Sequence, residues 1–96
     1  MDKAREAAVF ALERIRRDGA WSSALSDAMK IKYDLDPRSL ALAVSISLGV
    51  TQNTAFLDYY IDLYSKSSSK IEPKVRDIMR AGAYQLLFMD KIPASA

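Results

Sequence analysis

Three prolines and three glycines are all the backbone punctuation this chain has, and they stand far apart. Gly and Pro are the residues that most readily end a helix, so their scarcity favours long helical runs. Their positions also mark where helices begin. Asp36-Pro37 reads as a start, because Asp can accept from the first unpaired N–H groups and Pro lacks the N–H that would go unpaired there. Glu72-Pro73 reads the same way with a poorer cap, so that start rests mainly on the Pro.

Hydrophobic periodicity fills in five helices. The first covers residues 3–18 and is stopped by Gly19, with Ala4, Ala8, Ala11 and Ile15 on one face and Ala7 and Leu12 beside it. A short second helix over residues 23–29 turns Leu25 and Met29 inward, with Trp21 anchoring the corner before it. The third covers residues 37–50. Its Val44-Ser45-Ile46-Ser47-Leu48 stretch alternates as a strand does, but the Asp-Pro start and the small residues Ala41 and Ala43 favour a helix.

The fourth runs from Asn53-Thr54 to about residue 65. It turns Phe56, Leu57, Tyr60, Ile61, Leu63 and Tyr64 inward and Asp58 and Asp62 outward. Residues 65–70, reading SKSSSK, are the one polar linker. The fifth helix spans residues 73–89, with Val75, Met79, Gly82 and Leu86 in one line, widened by Ile78, Ala83, Leu87 and Met89. An apolar sector that broad implies packing on several sides. The expectation is an all-α single domain over residues 1–96, a bundle of about five helices joined by short loops.

Composition removes several function classes. With no Cys there is no disulfide framework, thiolate metal site or cysteine nucleophile, and with no His the commonest general base and metal ligand are missing. The glycines are isolated, so no loop cradles a nucleotide phosphate. Asp58 and Asp62 form a carboxylate pair without a pocket around it and read as a solvated face. No catalytic residue, metal or cofactor is expected. The longest uncharged apolar run, residues 40–50, is about half of the ~20 residues a membrane span needs. MDKAREAAVF lacks the apolar core of a secretory signal, so a cytoplasmic chain with no membrane partner is expected.

The net charge of +2 is mild, and the two ends are its more basic parts. On a helical wheel Lys3, Phe10, Arg14 and Arg17 fall within roughly 60° of one another. Arg5 and Arg16 sit on the other flank beside Val9. Cations interleaved with an aromatic ring can hold phosphates and stack a base. Alternatively, Glu6 and Glu13 pair with these cations on a solvated face while Phe10 packs against another helix. Arg76 and Arg80 lie one turn apart with Tyr84 one turn later, which suits phosphate and base recognition. Here the alternative is that Arg80 pairs with Asp77 and Tyr84 sits at the core rim. Tyr59, Tyr60 and Tyr64 could stack bases but more simply bury their rings and leave the hydroxyls wet.

"AREAAVFALERI", "LDPRSLALAVSISLGVTQN-TAFLDYYI" and "EPKVRDIMRAGAYQLLFMDKIPASA", in that order, resemble the NusB-like RNA-binding domain. The version they most resemble stands at the N-terminus of small-subunit rRNA cytosine-5 methyltransferases of the RsmB/Sun type. The most specific part is residues 73–93, where Ala-Tyr-Gln-Leu-Leu-Phe is followed by Ile-Pro; stand-alone antitermination factors usually carry Glu where Gln85 stands.

The resemblance implies helix over residues 37–50 and an RNA-binding role beside a protein partner. Of the family's RNA-contacting positions, Lys3 and Arg5 match, and Arg80 matches a recurrent arginine. Gln52 stands where a basic residue is common, and residues 45–47 lack the charge often found there, so the resemblance does not extend to contact from the third helix. In the family, Ile-Pro leads into two further helices and often into a catalytic domain. The chain is therefore expected to be a C-terminally incomplete module.

The expected function is non-catalytic: to help an rRNA m5C methyltransferase hold ribosomal RNA through Lys3, Arg5, Arg14, Arg17, Arg76 and Arg80. A stand-alone antitermination factor binding RNA and a ribosomal protein, and a purely protein–protein helical module, are the alternatives. Partners implied are small-subunit rRNA, a ribosomal protein or the missing catalytic domain, and a second copy of the chain through apolar surface on helix five.

Overall fold

The computed structural model describes residues 2–65 and 70–89; most of the polar linker and Ile92-Pro93 lie outside that range. Five α-helices appear in the expected order: α1 Lys3–Asp18, α2 Ser23–Tyr33, α3 Pro37–Gln52, α4 Thr54–Tyr64 and α5 Pro73–Tyr84. A π-wound stretch, Gln85–Met89, continues α5, so the fifth helix reaches Met89 as expected but changes its winding at Gln85.

The caps explain the boundaries. The Asp2 carboxylate accepts from the Arg5 N–H at 2.9 Å, and the Asp36 carboxylate accepts from the Ser39 N–H at 2.7 Å. Glu72 makes no side-chain cap, so Pro73 alone sets the start of α5. Gly19 takes a left-handed φ of 87° and its N–H bonds the Ile15 carbonyl, closing α1. Helix α2 runs one turn past the expected Met29. Asp34 ends it at φ 50°, a conformation Asp tolerates, and this reversal drops Leu35 into the core.

Helix α1 lies at the centre and touches α2, α3 and α5. Its small residues permit this, because Ala4, Ala7, Ala8 and Ala11 are all buried and allow neighbouring backbones to come close. Ala4, Ala7 and Ala11 pack with Leu25, Met29, Leu35 and Ala43 on one side. Ala8 and Leu12 pack with Ile46, Val50, Leu57 and Ala81 on the other. Burying a side chain such as Ile46 or Leu57 contributes about 1.5–3 kcal/mol each.

The alternating stretch of α3 is helical, and its buried Ser47 donates to the Ala43 carbonyl at 3.0 Å. Gly49 is where α3 admits α5: a Cβ there would lie 2.0 Å from Cζ of Tyr84. No single described helix is long and apolar enough to cross a membrane. Helices α3 and α4 together pass that test but bend by 81°, and both contribute buried residues to this bundle.

Two expectations about helix faces change. On α4 only Leu57 and Ile61 are buried, while Phe56, Leu63 and Tyr64 are exposed. Asp58 and Asp62 do not face solvent alone; they meet the arginines of α5. Asp58 accepts from Arg80 Nε at 2.7 Å and from its Nη2 at 2.8 Å. Arg76 donates to Asp58 at 3.3 Å and to Asp62 at 3.1 Å. The Arg80–Asp77 pair expected from spacing is present at 3.0 Å, and the other Asp77 oxygen accepts from Arg16 of α1. Asp77 is 2% exposed, so this carboxylate ties α1 to α5 inside the protein.

These arginines and carboxylates form a clasp between α1, α4 and α5, and two of its carboxylates, Asp58 and Asp77, titrate in opposite directions. Hydrogen bonds from Arg80 hold Asp58 below the usual carboxylate range. Burial pushes Asp77 up against the pull of Arg16 and Arg80. Asp58 binds its proton more weakly folded than unfolded, so its stabilisation is complete above the ordinary carboxylate range and is lost as pH falls through its lowered value. Asp77 contributes the reverse, stability that is lost as pH rises through its raised value. Asp58→Asn is expected to cost about 1–3 kcal/mol in urea unfolding near neutral pH. The variant should also lose less additional stability than the parent as pH drops below about 4. Parallel pH curves for the two proteins would contradict this assignment.

Candidate nucleic-acid interface

The six cations singled out in the sequence do not form one surface. Arg76 and Arg80 lie in the clasp, with side chains only 16% and 18% exposed. Arg5 donates through Nε to the Gln85 side chain at 2.7 Å and pairs with Asp2. It thereby links the start of α1 to the π-wound turn, so it has a packing role whatever else it touches. Lys3 is exposed at the N-terminal end of α1. Arg17 is exposed and, among the described residues, pairs only with its neighbour Asp18 at 3.6 Å, a surface pair that adds little.

Arg14 is placed differently. Its guanidinium carbon lies over the Phe10 ring, 5.1 Å from the centroid, one helical turn away on the same face of α1. The last turn of α2 completes the cluster. Lys32 Nζ sits 5.4 Å from the Phe10 centroid and 5.7 Å from that of Tyr33. Phe10 and Tyr33 meet edge to face at 5.8 Å. Neither Arg14 nor Lys32 forms an ion pair with a described residue. The sequence reading joined Phe10 to Arg14 and Arg17 but missed Lys32 and Tyr33. The only local signal was the basic run Lys30-Ile31-Lys32.

Two depressions flank Phe10. One, of about 290 Å³, is lined by Phe10, Glu13, Arg14, Arg16 and Arg17. The other, of about 460 Å³, opens across α1, the end of α2 and α5, and includes Glu6, Glu13, Lys32, Tyr33 and Lys74. Burial and the nearby Glu6 and Glu13 carboxylates push the Tyr33 hydroxyl above its ordinary range, so it remains a donor. No group of His, Asp or Glu among the described residues has metal-holding geometry. The arrangement can hold phosphates on Arg14, Arg17 and Lys32 and offer ring faces and acceptor oxygens between them.

A second surface is apolar. Tyr60, Ile61, Tyr64, Met79, Gly82 and Leu86 line a groove of about 310 Å³ between α4 and α5. Leu86 is 58% exposed and Tyr64 74%. The tyrosines of α4 expected to bury their rings do so only in part, since Tyr59 is also exposed.

The sequence model of the NusB family matches residues 2–96. Among the relatives is a Bacillus subtilis (strain 168) protein named probable ribosomal RNA small subunit methyltransferase B. It is 27% identical over 92 residues, covering 96% of this chain and 21% of that protein. A protein of the same name from Synechocystis sp. (strain ATCC 27184 / PCC 6803 / Kazusa) is 31% identical over 97 residues, covering all of this chain and 22% of its own length. The chain thus spans about one fifth of the length of these relatives. No solved structure matches significantly.

Proposed function

The chain belongs to the NusB family, and we propose that it is a non-catalytic RNA-binding module that helps an rRNA methyltransferase hold small-subunit ribosomal RNA. The methyltransferase part of this reading comes from the names of the two relatives, of which the chain covers only a fraction. The single observation that carries RNA binding is the stacking of Arg14 and Lys32 on Phe10 and Tyr33. Side chains held this way are ordered before a ligand arrives, so less conformational entropy is lost on binding. Among the described residues their charges have no carboxylate partner, so phosphates can take that place. Base stacking on the uncovered parts of these half-buried rings adds a sequence-tolerant contribution. Lys3 extends the same face of α1 to its N-terminal end, about 21 Å from Arg17 at the helical rise.

Contact of Arg14, Arg17 and Lys32 with about three phosphates of single-stranded RNA gives a log–log salt slope of about −2. The double substitution Arg14→Ala, Arg17→Ala should weaken binding at low salt and flatten that slope to about −0.7. Fluorescence anisotropy across a salt series reads both quantities. An unchanged affinity and slope would remove RNA binding from this face.

The apolar groove favours a second, additional reading: a protein contact on α4 and α5. Contiguous exposed apolar surface usually meets a partner, and a second copy related by a two-fold axis presents the same patch. Sedimentation equilibrium at micromolar concentration is expected to show concentration-dependent self-association, weakened by Leu86→Glu. A strictly monomeric parent would rule out the homodimer.

A further inference from the structure

The larger depression beside Phe10 has a composition that phosphate binding alone does not explain. A surface meant only for the RNA backbone gains from cations and loses from carboxylates. Yet Glu6 and Glu13 share this cleft with Phe10, Tyr33, Lys32 and Lys74. The carboxylates are only lightly compensated: Lys74 reaches Glu13 at 4.0 Å, with both side chains substantially exposed. Lys32 is directed over the Phe10 and Tyr33 rings instead. The cleft is therefore lined by aromatic rings, cations and acceptor oxygens together. Its volume of about 460 Å³ lies in the range of small-ligand sites.

Nucleobases differ in what they offer such acceptors. Cytosine carries an exocyclic amine, a donor that Glu can accept from. Uracil places a carbonyl oxygen at the same ring position, so it brings an acceptor towards a carboxylate. Adenine, like cytosine, presents an amine. We propose that the cleft between α1, the end of α2 and α5 is a nucleobase subsite that takes an unpaired, amino-bearing base of single-stranded RNA. The base packs against Phe10 and Tyr33, and its amine donates to Glu13. The Glu13 carboxylate also repels uracil at that position, so selection works by penalty as well as by attraction. Glu6 adds a second acceptor on the same side of the cleft. The Tyr33 hydroxyl, protonated as described above, is available to a ring carbonyl.

This inference rests on the RNA-binding reading and is separable from it. Oligocytidine and oligouridine of equal length carry the same backbone charge and differ at the group the carboxylate meets. Anisotropy titrations of the full chain at neutral pH and low salt should give about fivefold tighter binding of oligocytidine. Glu13→Met preserves the shape but cannot accept strongly, and should bring the ratio close to one whatever it does to both affinities. Phe10→Leu should weaken both oligomers. Removing a negative charge by itself would strengthen both oligomers equally, so the ratio isolates the contact. Equal affinity of the parent chain for the two oligomers would overturn the base subsite and leave RNA binding standing. A ratio unchanged by Glu13→Met would also overturn it. Failure of the parent to bind either oligomer would overturn both readings.

Discussion

The Asp77 carboxylate is the interaction on which the arrangement of this bundle depends. Removing a carboxylate from water costs several kcal/mol, and that cost is offset only when its oxygens are well bonded. Here one oxygen takes Arg16 of α1 and the other takes Arg80 of α5. Arg80 in turn is gripped through two donors by Asp58 of α4. Three helices therefore meet at one hydrogen-bonded network, and among the described residues no buried side-chain polar atom lacks a partner. What such a network supplies is geometry more than net stability, because the hydrophobic contacts of Leu12, Ile46, Val50 and Leu57 would tolerate other alignments.

The same network sorts the positive charges. Arg16, Arg76 and Arg80 are held inside it, and Arg5 is held between Asp2 and Gln85. Outside the network lie Lys3, Arg14 and Arg17 on one side of α1 and Lys32 on the last turn of α2, as well as exposed cations of other elements such as Arg38 of α3 and Lys74 of α5. A chain whose net charge is only +2 can thus present a locally basic, aromatic surface. A separate face is apolar, where α4 and α5 leave Leu63, Tyr64 and Leu86 uncovered. The two faces differ in chemistry, one charged and aromatic and the other apolar.

Much of this fold was legible in the sequence because its signals are local. Asp36-Pro37 and Gly19 act within one helical turn, and the Ala spacing of α1 is visible at a fixed period. The extension of α2 to Tyr33 was not legible, since Lys30, Ile31 and Lys32 continue no apolar stripe and Ile31 is 80% exposed. The clasp was half legible. Arg80–Asp77 is an i, i+3 pair, but Arg80–Asp58 joins residues 22 apart and Arg16–Asp77 residues 61 apart. Nothing in spacing along one helix reveals such pairs, which is why Asp58 and Asp62 read as solvent-facing. Phe10 met Lys32 and Tyr33 for the same reason, through a turn that only the folded chain brings round. The Asp36-Pro37 cap favoured a helix over residues 37–50 where periodicity was ambiguous, and the family resemblance agreed with it and supplied the direction of the functional argument.

The central claim is that the charge network withdraws the arginines of α5 and leaves the α1–α2 face to bind RNA. Backbone amide NMR of the isotopically labelled chain, titrated with single-stranded RNA at low salt, tests it residue by residue. The account predicts shift changes centred on Phe10, Arg14, Arg17, Lys32 and Tyr33, with Asp58, Arg76 and Arg80 unmoved. Changes centred on Arg76 and Arg80, with Phe10 and Lys32 silent, would contradict it.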